Sequence, residues 1–162
     1  FAAHNAVHHH QLGDAMPATA CRIRRTTNQS ILNGTETAIS FDVEDFDQGN
    51  MADLVAQPTR ITIATAGIYM VGGWNAWAAS TAGDRAIRIM KNGEAQPDAI
   101  VMQDSPAPLG AGVEPTRVLN TIWKFAAGDY IELFIVQSSG GALNSLTRAY
   151  GPSFWAILLE DG

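Results

Sequence analysis

The stretch TAGIYMVGGWNAWA, Thr65 to Ala78, alternates as a β-strand does and yet is apolar on both of its sides. Successive side chains of a strand point to opposite faces of the sheet. One face therefore carries Ile68, Met70, Gly72, Trp74 and Ala76, and the other carries Tyr69, Val71, Gly73, Asn75 and Trp77. A strand that is half exposed to water is polar on one face. Because this strand carries a tryptophan on each face, both faces need a cover.

Two other segments share this two-sided pattern, whereas two more do not. TRVLNTIWKF (116–125) and SFWAILL (153–159) are apolar on both sides. RAIRIMK (85–91) and DYIELFIVQ (129–137) are mostly one-sided, as expected for a sheet that faces water. If the three two-sided strands share one sheet, one face packs against the core and the other needs a partner. No convincing helix follows Pro17 to provide that cover, so the predicted partner is a second copy of the chain.

Length and composition limit the classes of function. The 162 residues are the size of one domain, large enough to bury a core without a disulfide or a metal. Cys21 is the single cysteine and cannot pair within its own chain. A net charge of −6 argues against nucleic acid, which needs a basic face. The longest apolar run, FWAILL, is too short for membrane insertion. The low charged fraction of 16% favours a surface partly buried against another chain.

The order of segments predicts an all-β fold in which eight to ten short strands are separated by turn residues. We expect an antiparallel two-sheet jelly-roll sandwich over residues 19–162. Asn33-Gly34 predicts a hairpin turn between β-prone runs. Residues 1–18 differ in composition, hold all four histidines, and are predicted to form a short, helical anchor segment. The anchor residues are Phe1, His4, Val7, His8 and Leu12.

Four motifs, in order, resemble the jelly roll of tumour necrosis factor and of the globular head of complement component one-q. They are AISFDVEDFDQGNM, RITIATAGIYMVGG, FAAGDYIELFIVQ and GPSFWAILLE. The residues that carry the resemblance are Phe41, Gly67, Ile68, Tyr69, Gly128, Asp129, Ser153 and Phe154, and it spans residues 19–161. The segments NQSILNGTETAISFD, TAGIYMVGG, KNGE and SSGGALN most resemble the sequences of this domain in bacteriophage structural proteins.

This resemblance implies a non-enzymatic homotrimer that packs through its inner sheet and needs no cofactor. Together with the two-sided strands, it gives a set of predicted interface residues: Tyr69, Val71, Trp74, Trp77, Trp123, Trp155, Ile157 and Leu159. The trimer would be a structural protein of the phage particle, located on the surface of the virion, in the tail or the head, and therefore extracellular. We expect a role in tail-fibre or tail-tip assembly and host attachment.

In this interpretation the two ends of the domain have different partners. The N-terminal segment would bind other virion proteins. The loops 79–85, 104–115 and 138–149 would face a host surface glycan or protein. Two alternatives remain open at this point: a capsid decoration or head-fibre protein, and a secreted bacterial module of the same fold that binds carbohydrate or protein.

Other chemistries have weaker support in the sequence. The His4–His10 cluster has spacing that can hold a transition metal, although a polar segment that docks on a neighbouring protein is the simpler explanation. Asp42, Glu44, Asp45 and Asp47 can be a calcium loop or a solvated turn. Glu132 and Asp104 are an imaginable glycosidase pair, and VGGWNAWAAS an imaginable sugar platform. We expect no catalytic residue and no metal site.

Overall fold

The computed structural model describes residues 19–93, 100–104, 112–149 and 151–162, and within these ranges it contains twelve β-strands and no helix. The strands are β1 (Ala20–Arg24), β2 (Gln29–Ile31), β3 (Thr37–Ala38), β4 (Val43–Gln48), β5 (Arg60–Thr62), β6 (Gly67–Trp77), β7 (Arg85–Lys91), β8 (Ile100–Asp104), β9 (Thr116–Phe125), β10 (Tyr130–Gln137), β11 (Leu143–Leu146) and β12 (Ser153–Asp161).

The strands form two antiparallel sheets, one of seven strands and one of five. In the seven-stranded sheet, β6 pairs with β9 along one edge and with β12 and then β11 along the other. Strands β1 and β4 continue the sheet beyond β12, and β2 continues it beyond β11. In the five-stranded sheet, β10 lies between β7 and the short strands β3 and β5, and β8 is the far edge. The predicted jelly-roll sandwich is confirmed.

The three two-sided strands, β6, β9 and β12, are neighbours in the seven-stranded sheet. One face of this sheet meets the five-stranded sheet, and the apolar side chains between the sheets form the core. Tyr69, Val71 and Trp77 of β6 are each fully buried there, as are Ile87 and Ile89 of β7. The five-stranded sheet supplies a single apolar face, as its one-sided pattern predicts.

The two adjacent glycines of β6 leave room for large side chains on opposite faces of the strand. A Cβ at Gly73 would lie 2.9 Å from both methyl carbons of Leu133, which comes from the opposing sheet. A Cβ at Gly72 would lie 2.5 Å from Cε2 of Trp155, the residue directly opposite on β12. The indole of Trp155 therefore packs against Gly72 of β6, on the side away from the core.

Three local predictions are wrong. Asn33-Gly34, with φ +68° at the glycine, does not join a hairpin: β2 pairs with β11 and β3 with β10, so the turn carries the chain from one sheet to the other. The acidic run after Asp42 is an edge strand, β4, and not a solvated turn. The predicted loop 138–149 contains β11, because Leu143–Leu146 add to the edge of β6.

Candidate oligomer interface

The face of the seven-stranded sheet that points away from the core, here called the outer face, is apolar at its centre. Its residues follow from the register, since directly opposite residues of an antiparallel pair lie on the same side of the sheet. The rows are Lys124–Ile68–Glu160, Ile122–Met70–Ile157–Ala20, Asn120–Gly72–Trp155–Arg22–Phe46 and Val118–Trp74–Ser153–Arg24–Val43. Aliphatic and aromatic residues of β6, β9 and β12 form most of this face, with Lys124 and Glu160 at one end and Arg22 and Arg24 on β1.

Much of the apolar surface of this face is exposed, most of all on the edge strands β9 and β4. Ile122 is 61% exposed, Val118 57% and Phe46 42%, while Met70 and Trp74 are partly exposed. Leu159, at a bulge in β12, is 52% exposed. The described residues of the chain leave these side chains far more exposed than the side chains of the core. Contiguous exposed apolar surface of this kind marks interaction sites in soluble proteins.

A groove of about 340 Å³ crosses the outer face between β4 and β6. It is lined by Arg22, Phe46, Trp74, Trp155 and Ile157. A bulge between β1 and β4 places Asp45 beside both neighbouring arginines. The Nε of Arg24 lies 2.6 Å from Oδ1 of Asp45, and the Nε of Arg22 lies 3.3 Å from Oδ2. One carboxylate thus faces two guanidinium groups, and this wall of the groove carries a net positive charge.

The loop end of the sandwich, defined here as residues 79–84, 112–115 and 138–142, gathers parts of all three loops predicted to face outward. The backbone N–H of Asp84 donates to Oγ of Ser138 at 2.8 Å, and that of Trp77 donates to the carbonyl of Pro115 at 2.9 Å. Arg85 is 1% exposed, and its Nη1 donates to the carbonyls of residues 82–84. Thr19, where the described chain begins, accepts a bond from Leu158 at the opposite end of the sheet.

The most informative comparison is with solved structures. Murine APRIL at pH 5.0 superposes with a TM-score of 0.66 at 13% identity, covering 88% of this chain and 99% of that one. The globular domain of zebrafish complement 1qA gives 0.63 at 12% identity, covering 89% and 99%. The Eiger TNF from S. frugiperda gives 0.67 at 10% identity, covering 91% and 96%.

The fold is the jelly roll of the TNF and complement 1q domains. At these levels of identity the superpositions establish the fold alone, and the bacteriophage relationship expected from the wording of the sequence has no counterpart among them. No protein-family model matches the sequence. No curated protein sequence matches it either.

The predicted interface residues lie on two different faces of the seven-stranded sheet. Trp74, Trp155 and Ile157 lie on the outer face, and Leu159 lies at its margin. Tyr69, Val71 and Trp77 instead face the five-stranded sheet and are fully buried in the chain's own core. Register also places Trp123 on the core side of β9, opposite Tyr69, although it is 36% exposed.

Four outer-face residues were missed in the sequence: Met70, Val118, Ile122 and Phe46. The period of two along GIYMVGGWNAW already separates Met70 and Trp74 from Tyr69 and Trp77. What the sequence does not give is which of the two sets faces the five-stranded sheet. The buried hydroxyl of Tyr69, which donates to the carbonyl of Thr65 at 2.7 Å, agrees with the core assignment, and burial raises its pKa.

The candidate metal and catalytic groups are engaged by their own chain. Asp42 accepts bonds from Thr26, Asp47 accepts from two backbone N–H groups, and Asp45 pairs with the two arginines. No cluster of three His, Cys, Asp or Glu side chains that could hold a metal lies within the described ranges. Glu132 accepts a 2.5 Å bond from Thr59, whereas Asp104 lies near Arg117 on another strand.

The residues predicted as the anchor, Phe1, His4, Val7, His8 and Leu12, lie outside the described residues, as does the rest of segment 1–18. Among the described elements, no helix of the length and hydropathy needed to cross a membrane is found.

Proposed function

We propose that this jelly roll is a non-enzymatic module that forms a homotrimer through its outer face. The observation that carries the proposal is the exposed apolar surface of that face, which a second copy would remove from water. A threefold arrangement also follows from the resemblance to the TNF and complement one-q domains stated for the sequence. The absence of any histidine after residue 10 supports a non-enzymatic role, because a nucleophile in the jelly roll would have no imidazole base.

The oligomer is tested by native mass spectrometry and sedimentation. The expected species has three times the chain mass of 17.3 kDa, or about 52 kDa. Ile122→Glu, which puts a charge among the exposed apolar residues of the outer face, is expected to disperse the trimer and leave a folded monomer. Leu32→Glu is the control of matched exposure, because Leu32 is 63% exposed and Ile122 61%. Leu32 follows β2, which β11 and β6 separate from β9.

A wild-type chain that remains monomeric at micromolar concentration would contradict the trimer. Equal effects of the two substitutions would place the contact elsewhere. The circular dichroism of both variants should keep its β-sheet signature, since neither side chain belongs to the core.

We further propose that the trimer is an extracellular structural component of a bacteriophage particle, acting in tail-fibre or tail-tip assembly and in host attachment. The resemblance of four segments of the sequence to bacteriophage structural proteins supports this role. The positions of Thr19 and of the loop end, at opposite ends of the sheet, suit a domain held by residues 1–18 at one end and free to bind at the other. Three copies of one loop site would gain avidity for a host glycan or protein.

Imaging of the intact particle with an antibody against the domain tests this role. Label at the tail, together with blocked adsorption by the free protein, supports host attachment. Label over the capsid without any effect on adsorption would favour the decoration alternative instead. Domain found only in the secreted fraction of a bacterial culture, with no labelled particles, would overturn the virion role and favour a secreted binding module.

A further inference from the structure

Two arginines lie between the sheets, at the end of the core that is nearest the loop end. Arg85 begins β7 on the same side of that strand as the fully buried Ile87, and it lies opposite Gln137 of β10. Arg117 of β9 lies opposite Asn75 of β6, which is itself fully buried. Because directly opposite residues share a side of their sheet, both arginines lie on the core side.

Two contacts join the sheets on either side of Arg85. The Nε2 of Gln137 donates to the carbonyl of Ile31 at 3.0 Å, which ties β10 to β2. The Nε of Arg117 lies 3.8 Å from Oδ2 of Asp104, which ties β9 to β8. In one sheet β7 lies between β10 and β8, and at this end of the other sheet β6 lies between β11 and β9. Arg85 therefore faces the end of β6.

These side chains present hydrogen-bond donors that the described chain does not satisfy. Within the described ranges, seven buried side-chain nitrogen atoms have no hydrogen-bond partner. Five of them lie here: Nε and Nη2 of Arg85, Nε of Arg117, Nδ2 of Asn75 and Nε1 of Trp77. Asn75 and Trp77 are fully buried, and Arg85 is 1% exposed. Buried polar groups are normally paired, so a set of donors alone points to an acceptor that the chain itself does not supply.

The charge of these groups favours an anion over water as that acceptor. A buried guanidinium costs much free energy unless an opposite charge compensates it. Among the described residues Arg85 forms no ion pair, since the neighbouring Asp84 is exposed and the groups that accept from its Nη1 are neutral carbonyls. Asp104 pairs with Arg117 and is 43% exposed. The two guanidinium groups therefore leave this end of the core with a net positive charge.

We propose that this end of the core binds one small monovalent anion, such as a halide or a small carboxylate, between Arg85 and β6. The guanidinium of Arg85, the amide of Asn75 and the indole N–H of Trp77 donate to the anion, and Arg117 adds positive charge. Hydrogen bonds from a guanidinium to an anion are among the strong ones in proteins. Since Nη1 of Arg85 holds the carbonyls of residues 82–84, the anion also fixes the loop above it.

Thermal unfolding of the full chain in sodium chloride and in sodium gluconate tests the site, at equal ionic strength and one chain concentration. A ligand that binds only the folded chain stabilises it by mass action, so Tm is expected to rise with chloride and to stay constant in gluconate, a bulkier anion. Arg85→Met is expected to abolish the dependence on chloride. Trp77→Phe removes one donor and keeps a ring, and it is expected to raise the dissociation constant of chloride roughly tenfold.

Two control variants and a diffraction experiment accompany the titration. Arg148→Met removes an exposed arginine that pairs with Glu114, and Trp74→Phe changes a tryptophan of the outer face, so both should keep the chloride dependence of the wild type. Formate in place of chloride distinguishes a carboxylate ligand from a halide, and stabilisation by either supports the site. Wild-type crystals soaked in bromide should show an anomalous peak within hydrogen-bond distance of Arg85, a measurement that does not depend on the folding of any variant.

The outcomes separate this site from the trimer. Equal Tm values in chloride, formate and gluconate would overturn it and leave buried water as the acceptor. A bromide peak without any dependence of Tm on the anion is binding at crystal concentration only, and would overturn it as well. An undiminished chloride dependence in folded Arg85→Met would have the same consequence. A monomeric chain that keeps the dependence would support the site and contradict the trimer, because all the donors belong to one chain.

Discussion

At the scale of single residues, the adjacent glycines of β6 make the two faces of the strand separately testable. Gly73→Ala would bring a Cβ to 2.9 Å from the methyl carbons of Leu133 and 3.1 Å from Phe154, inside a packed core. Overpacking of this kind is expected to lower the free energy of unfolding by about 1–3 kcal/mol. Gly72→Ala would bring a Cβ to 2.5 Å from Cε2 of Trp155 and 2.7 Å from the backbone carbonyl of Leu119, so it is expected to weaken the proposed trimer in addition to destabilising the fold. Urea denaturation and sedimentation measure the two effects.

Gly141→Ala is the control for both substitutions, since nothing lies within 4 Å of a Cβ at that position. It should change neither the unfolding free energy nor the trimer by more than about 0.5 kcal/mol, as is usual for surface sites. Equal losses of trimer in the Gly72 and Gly73 variants would contradict the assignment of the two faces.

The buried thiol of Cys21 gives a second prediction at this scale. Burial raises the pKa of Cys21 to about 12, and the nearby Asp47 and Glu44 add to the shift. The reactive form is the thiolate, so the native protein should resist thiol reagents near pH 9 and react fully once unfolded. Because the unfolded thiol ionises near pH 9 and the folded one near pH 12, stability should fall as the pH rises through that interval.

Cys21→Ala is the variant that checks the alkaline loss of stability. It removes the only thiol and should make the unfolding free energy flatter above about pH 9 than in the wild type. Rapid labelling of the native wild type at that pH would contradict the buried environment.

At the scale of elements, β6 predicts opposite consequences for its two tryptophans. Trp77 is fully buried between the sheets, so Trp77→Ala should cost about 3–5 kcal/mol of stability, as large aromatic deletions in cores do. Trp74 lies on the outer face beside the groove, so Trp74→Ala should weaken the trimer more than it destabilises the monomer. Denaturant unfolding measured at a protein concentration where the trimer has dissociated separates the loss of monomer stability from the loss of association. A smaller loss of monomer stability for Trp77→Ala than for Trp74→Ala would contradict the assignment of Trp77 to the core and Trp74 to the outer face.

The elements also show which parts of the fold follow from sequence. The period of two in β6, β7 and β10, and the two-sided pattern of β9 and β12, were enough to predict two sheets and the sheet that needs a partner. The sequence did not predict which strands pair. Asn33-Gly34 has the chemistry of a hairpin turn, yet β2 and β3 pair with strands of different sheets. A turn residue fixes local dihedral angles, while the choice of partner strand depends on which distant edge is free.

Only part of the candidate interface could be predicted from the sequence. Alternation separates Trp74 from Trp77 but assigns neither set to the core, because a strand covered on both faces has no polar side to mark the outside. The edge strand β9 adds a second difficulty. Trp123 lies on the core side by register and is nevertheless 36% exposed, and alternation alone does not give the exposure of a side chain on an edge strand.

At the scale of the whole molecule, a homotrimer couples folding to association and makes stability depend on concentration. If the unfolded chains separate, each tenfold rise in chain concentration adds about 0.9 kcal/mol of stability per chain, two thirds of the free energy of a factor of ten. For a domain of this length that shifts Tm by roughly 2–4 °C. Calorimetry over two decades of concentration should therefore show a rise of about 4–8 °C in the wild type. Ile122→Glu, folded as a monomer, should show none, and a wild-type Tm independent of concentration would exclude association linked to folding.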